Sequence, residues 1–270
     1  MLRLAEIRRY PVKSCRGQPL ETAQVEPWGL RGDRRWMLVD AEGVAVTART
    51  QPRLVLVTPR LQPNGLRLSV ESLPDLWVDR PDASTLTDVR VFSAELQAAV
   101  ASPQAHAWFS ALLGVPVRLV YLDDPTRRGV NPEHSRPADR VSLADGYPLL
   151  LTTRESLAKV NELILEGPHA EEGPLPMIRF RPNVVVSGAP AWAEDNWRLI
   201  RIGGVRFRVA KSCARCVLTT VHPVTGLKGR EPLWTLARHR GWDGAVWFGI
   251  NLIPDQTGSI SVGDELEVLD

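Results

Sequence analysis

Cysteine and lysine are both scarce in this chain, and long apolar runs are missing. Three cysteines in 270 residues are too few to staple a fold, so a disulfide scaffold is excluded and a reducing compartment is the natural setting. Residues 1–10 alternate charged and apolar side chains without a continuous apolar stretch. That argues against a secretory leader or membrane anchor and sets the expectation of a soluble cytoplasmic protein with no membrane partner. The formal charge is only +2, and no basic run is interleaved with aromatics, so a nucleic-acid partner is not expected. No internal repeat or low-complexity segment is found. Lysine occurs only at 13, 159, 211 and 228, so nearly all of the 33 basic residues are arginine. Coding bias and solvated surfaces account for most of them, yet the planar guanidinium fork also fits phosphate and carboxylate.

The length and the 44 % apolar content allow one large core or two modest ones. Short strands at regular spacing dominate the first half: 2–10, 35–40, 44–48, 53–58, 66–70, 76–78 and 89–92. Pro63-Asn64-Gly65 supplies a hairpin turn, because Asn-Gly accepts the positive φ required there. Ser102-Pro103 opens a helix that Gly114 ends. A strand at 117–121 precedes a polar stretch with three prolines at 123–139, the candidate linker between regions 1–122 and 140–270. Beyond it the pattern predicts a strand at 149–152 and a helix at 154–165, with Thr152 and Glu155 at capping-box spacing. Strands at 183–187, 197–202 and 205–210, a short helix at 232–238, and further strands at 245–252, 259–262 and 266–269 complete the reading. The fold class is mostly β with a few helices, an α+β chain of sandwich or barrel type.

Two of the three cysteines lie in Cys213-Ala214-Arg215-Cys216, which leads into a β-branched run. An arginine beside a cysteine entering a strand stabilises the thiolate and makes the sulfur available to a soft metal or an electrophile. Cys216 is therefore the candidate reactive atom. Spacing alone leaves three readings open: a redox dithiol, a metal ligand, or inert packing. His222 could add a third zinc ligand, but no second Cys/His cluster supplies a fourth, so zinc is the least favoured metal.

Four other clusters fall where strands begin or end, the positions from which loops present functional side chains. They are Tyr10 to Cys15 with Lys13 and Ser14, Gly32 to Trp36 with Asp33 and Arg34, Leu143 to Pro148 with Asp145, and Phe180 to Asn183 with Arg181. Each taken singly reads as a solvated turn or a surface ion pair. Together their cations, hydroxyls and amides would enclose an anionic, hydrogen-bond-rich ligand beside a thiolate.

The ordered motifs Tyr10-Pro11-Val12-Lys13-Ser14, Asp33-Arg34-x-Trp36, Thr47-Ala48-Arg49 with Pro52-Arg53-Leu54, Phe180-Arg181-Pro182-Asn183, Cys213-x-Arg215-Cys216-x-Leu218-Thr219-Thr220 and Gly258-x-Ile260-x-Val262-Gly263-Asp264 resemble the MOSC superfamily, in its branch of amidoxime-reducing components and bacterial relatives. The resemblance covers essentially the whole chain. It implies an N-terminal MOSC β-barrel region followed by a β-barrel MOSC domain, and a molybdenum–molybdopterin cofactor whose metal is ligated by Cys216. Position by position it further implies that Lys13, Ser14, Arg34, Arg181, Asn183 and Arg215 hold the pterin and its phosphate, with the Asn183 amide both donating and accepting, and that Asp145 lies close to the metal. Gly146 and Tyr147 stand where relatives often carry small hydroxyl residues, Ala214 where serine is frequent, and Asn251 where a tyrosine approaches the cofactor. Backbone N–H groups at 146 and 214 can serve regardless of side chain.

The activity implied by this resemblance is reductive cleavage of the N–O bond of small N-hydroxylated compounds, with Cys216 and Asp145 as catalytic residues. The chain ends at Asp270, shortly after the MOSC motifs and without a ferredoxin-like domain, so a separate electron-transfer protein is implied, of ferredoxin, flavodoxin or cytochrome b5-like reductase type. The alternative is a molybdenum cofactor or sulfur carrier that bears a persulfide on Cys216 and does not turn over.

Overall fold

A computed structural model describes residues 1–270. A nine-stranded sheet forms its larger part, in the order Gln18–Leu20, Arg3–Arg9, Val184–Ser187, Leu149–Thr153, Ala245–Pro254, Val205–Ala214, Leu199–Ile202 and Leu266–Val268, with Gly241–Trp242 folded back onto Ala245–Pro254. Every pairing is antiparallel except that of Leu149–Thr153 with Val184–Ser187. That parallel pair needs a crossover, which the helix Arg154–Leu165 supplies. The second sheet runs Leu86–Val91, Ala94–Val100, Arg118–Tyr121, Trp36–Val39 and Ala45–Val46. Two three-stranded sheets complete the mostly β architecture, one of them joining Thr22–Glu26 to Gly258–Ser261.

The two main cores do not follow the chain order. One packs Trp36, Leu54, Phe109 and Leu119 entirely from the first half, apart from Val221. The other places Leu4, Ile7, Val25 and Leu30 among Leu149, Phe207 and Ile250. Residues 4–7 and 23–30 thus pack with the second half while Val12 and Cys15 stay with the first, so packing does not divide the chain at 123–139. The stretch 123–139 also does structural work: Arg128, buried, donates to the carbonyls of Ser142, Ala144 and Asp145 and pins that loop from beneath.

Several local expectations shift. Residues 52–56 form a 3₁₀ helix rather than a strand, because Pro52 at its first position fixes a helical φ. The hairpin around Pro63-Asn64 survives, with Thr58–Gln62 as its first strand. The helix at 154–165 is capped by Thr153, whose hydroxyl accepts from the Ser156 N–H, and not by Thr152. Cys216 does not enter a strand. Cys213 ends the strand Val205–Ala214, while Cys216 precedes the 3₁₀ turn Val217–Thr220. Ser102 and Gly114 cap the helix Pro103–Leu113 as expected, Gly114 with φ of 72°. No helix is long and apolar enough to cross a membrane.

Candidate functional site

The ends of the central strands surround a cavity of about 310 Å³. Lys13 and Ser14 follow the strand Arg3–Arg9, residues 145–147 precede Leu149–Thr153, Arg181 and Asn183 precede Val184–Ser187, and Ala214 to Cys216 close Val205–Ala214. Arg34 enters from the turn before Trp36–Val39, and Asn251 from the middle of Ala245–Pro254. All twelve residues singled out in the sequence line this one space. Its walls carry seven basic side chains, at 13, 34, 49, 179, 181, 211 and 215, against the single carboxylate of Asp145. An excess of that size in a protein cavity calls for an anionic ligand.

Asp145 is the hub of one side. Its Oδ1 accepts from Lys13 Nζ at 2.6 Å, and its Oδ2 accepts from Arg49. The side chain is 55 % accessible although protein surrounds it, because it faces the open lumen. Desolvation by the walls would raise the Asp145 carboxyl, but Lys13 and Arg49 outweigh it and hold the group well below the ordinary carboxylate range. Lys13 is nearly sealed from solvent and also donates to the Leu143 carbonyl at 2.8 Å. Burial lowers its ammonium to about 8, with Asp145 opposing.

The same Arg49 donates through Nε to Cys216 Sγ at 3.3 Å. The guanidinium on the candidate sulfur therefore comes from the first half of the chain, not from the neighbouring Arg215. Arg215 instead donates to Cys213 Sγ at 2.9 Å and to the Phe180 carbonyl at 2.6 Å. The arginine in contact with the Cys216 sulfur is thus Arg49. All three cysteines are free thiols. Cys15 lies in the first core, where burial pushes its thiol up to about 12, so it is an inert packing residue. His222 Nδ1 accepts the N–H groups of Val224 and Thr225 in its own turn, and His222 does not line the cavity.

The other side is organised around Tyr10. Its fully buried ring lies between two guanidinium groups, Arg34 at 4.3 Å and Arg181 at 4.4 Å from the ring centre. A Cβ at Gly17 would stand 2.5 Å from that ring, so glycine is required for the close approach. Arg34 is anchored to Asp33 at 2.6 Å and to Asn183 Oδ1 at 2.8 Å. Asn183 also accepts from the Leu150 N–H and donates to the Arg8 carbonyl. Its Oδ1 is thus committed to protein groups and braces Arg34, while Nδ2 spends one of its two N–H groups on Arg8 and keeps the other. Ser14 Oγ is similarly engaged, accepting from the Ala48 N–H.

Ser14, Arg34 and Arg181 all have left-handed backbone, with φ of 70°, 44° and 56°. Non-glycine residues held there cost roughly 1–3 kcal/mol each and persist where surrounding contacts fix them, typically around ligand sites. Arg181 Nη2 and Arg215 Nε are buried without a partner. Orphaned guanidinium donors of this kind are what the phosphate of a pterin cofactor would satisfy, and Cys216 offers the thiolate for a soft metal, so the residues fit the molybdenum–molybdopterin group. Gly146 presents backbone to open space, and Asn251 donates to the Ser212 carbonyl. Burial raises the Tyr147 phenol to about 12, keeping it protonated.

Arg49, Arg179 and Lys211 line the cavity but fell outside the site selection made from sequence, as did Arg128, which braces the Asp145 loop from beneath. Arg49 stood within the quoted Thr47-Ala48-Arg49 motif, and that was its only signal. Arg128 carried none.

Comparison with known proteins agrees with this geometry. A family model described as the MOSC N-terminal beta barrel domain matches residues 1–116, and one described as the MOSC domain matches residues 138–267. The chain is 33 % identical over 285 residues to "Mitochondrial amidoxime-reducing component 1" of Homo sapiens, covering 98 % of this chain and 82 % of that protein. It is 33 % identical to the protein of that name from Xenopus laevis, with 97 % and 80 % covered. It is 32 % identical to "Mitochondrial amidoxime reducing component 2" of Homo sapiens, with 97 % and 82 % covered. With both matches in order and this likeness running from end to end, the chain belongs to the MOSC-domain family, among the relatives of the amidoxime-reducing components.

Proposed function

We propose that the protein is a molybdenum cofactor-dependent oxidoreductase that reduces small N-hydroxylated compounds, releasing water from the cleaved N–O bond. The observation that carries this reading is the convergence of the Cys216 sulfur with seven cations and one carboxylate in a single cavity. The end-to-end likeness to proteins named as amidoxime-reducing components supports it.

When bound, the cofactor supplies the two-electron reduction. The protein's residues bind and orient it: Cys216 offers its thiolate to the metal, with Arg49 Nε stabilising the charge on sulfur. Arg181 and Arg215, both lining the cavity, would offer guanidinium donors to the phosphate. Reduction of an amidoxime to an amidine consumes two electrons and two protons and yields water. Lys13 Nζ, lowered by burial to about 8 and bonded to the Asp145 carboxylate that Arg49 also holds, serves as the proton reservoir in this reading. The electrons come from a separate ferredoxin-, flavodoxin- or cytochrome b5-like donor, and the free thiols suit a reducing compartment, the cytoplasm in this reading.

The test is anaerobic turnover of benzamidoxime by cofactor-loaded protein with a chemical reductant, alongside molybdenum and pterin analysis. Benzamidine formation with stoichiometric molybdenum, both abolished in Cys216→Ala, is the expected result. Stoichiometric cofactor without benzamidine would favour the carrier role, and absence of molybdenum after expression in a cofactor-competent host would refute both.

A further inference from the structure

Behind the wall that carries Tyr10 and Arg34 lies a second cavity, of about 560 Å³, with no part in the reading above. Consecutive residues serve the two spaces: Arg34 lines the first and Arg35 the second. Four arginines face this second space, Arg9, Arg31, Arg35 and Arg80, against one carboxylate, Glu26. Glu26 is already committed, to Trp28 Nε1 at 2.8 Å and Arg31 Nε at 3.0 Å.

The guanidinium groups are only partly engaged, and Arg31 is bonded to Glu26 through Nε alone, with its side chain exposed. Arg35 donates through Nε and Nη2 to the Leu122 carbonyl and through Nη2 to that of Asp123, leaving Nη1 over. Arg80 is tied to the Pro63 carbonyl, and both Arg35 and Arg80 rest on the Tyr121 ring, at 5.2 and 5.9 Å. Arg9 bonds the Arg31 carbonyl and Gln18, while its Nε is buried without a partner. Trp36, another lining residue, is 1 % exposed and its indole N–H is also unpartnered. Arginines fixed by main-chain carbonyls and an aromatic ring keep little side-chain entropy to lose on binding, which is how an oxyanion site is preorganised. Solvated surface arginines would lack this anchoring.

We propose that this second cavity binds a small polyanion, with phosphate or carboxylate as the charged group, independently of the cofactor cavity. The experiment is isothermal titration of the protein with tripolyphosphate and, separately, citrate. The Arg31→Ala/Arg80→Ala double variant alters two accessible side chains, and its thermal midpoint verifies folding. Arg181→Ala serves as the control, since it disables only the cofactor cavity. Binding of either probe that persists in Arg181→Ala and weakens at least about tenfold in the double variant is expected, from the loss of charge-assisted hydrogen bonds. Which probe binds then identifies the charged group. Unchanged binding by the double variant, or loss confined to Arg181→Ala, overturns the proposal. So does capture of an oligoglutamate peptide with neither small probe bound, which would make the surface an acidic-peptide groove.

Discussion

On the Cys216 side of the principal cavity the charges already have protein partners, whereas on the Arg181 side donors are left over. Asp145 bonds both Lys13 and Arg49, and Arg49 reaches the sulfur as well. Arg34 is fixed by Asp33 and Asn183, but Arg181 Nη2 and Arg215 Nε are buried with nothing to bond. The first arrangement is an internally bonded network whose loss is felt by the fold. The second stores unpaired donors whose benefit appears only when an anion arrives.

The widest gap between the two sides should appear in Arg181→Ala. Retained molybdenum and pterin should fall about tenfold or more, from the loss of charged hydrogen bonds to phosphate. The urea midpoint of cofactor-free protein should hold or rise, because a buried unpaired cation has been removed. A marked destabilisation without cofactor loss would erase the distinction. Asp145→Asn is the converse change. It strands Lys13 and Arg49 and should cost about 1–3 kcal/mol in cofactor-free protein, less than for a sealed pair because Asp145 faces the lumen; urea unfolding measures it.

The Lys13 titration sharpens the contrast further. With a folded pKa of about 8 and an unfolded value near 10.4, Lys13 binds more protons in the unfolded state between those limits. This group therefore adds stability as pH rises through that window. Lys13→Met should lose that increment, read as a smaller change in urea midpoint from pH 7.5 to 9.5 than in the parent. The smallest effect is expected for Cys213→Ala. Its sulfur touches only Arg215 Nη1 and its own neighbour's carbonyl, so stability should move by less than about 0.5 kcal/mol and molybdenum content should be retained. Equal loss in Cys213→Ala and Cys216→Ala would instead point to a dithiol.

Most of the twelve candidate residues were legible because they sit in ordered motifs or turns at strand ends, where local chemistry and the family pattern agree; Asn251, inside the strand Ala245–Pro254, rested on the family pattern alone. Contacts between motifs were not. The adjacency of Arg215 and Cys216 suggested a pairing that chain direction forbids, since the guanidinium of Arg215 turns to Cys213 and Phe180 while Arg49 crosses from the other half. Asn183 read as a ligand contact from its motif alone, and its bracing of Arg34, Leu150 and Arg8 is visible only in the fold. Strand periodicity found most of the sheet but passed over Ala94–Val100, whose alanines give weak strand signal, and Thr22–Glu26, whose partner lies at the far end of the chain. Pro52 was the cue for the 3₁₀ turn that the apolar run after it concealed.

The pairing of Arg3–Arg9 with Val184–Ser187, and of Thr22–Glu26 with Gly258–Ser261, fixes an order of events in the cell. Ribosomal synthesis runs from the amino end, so the earliest strands must wait, edges uncovered, until almost the entire polypeptide has emerged. The pocket wall that holds Lys13 and Ser14 depends on those late pairings. A cofactor of the proposed kind would accordingly meet its complete pocket only once those late pairings have formed.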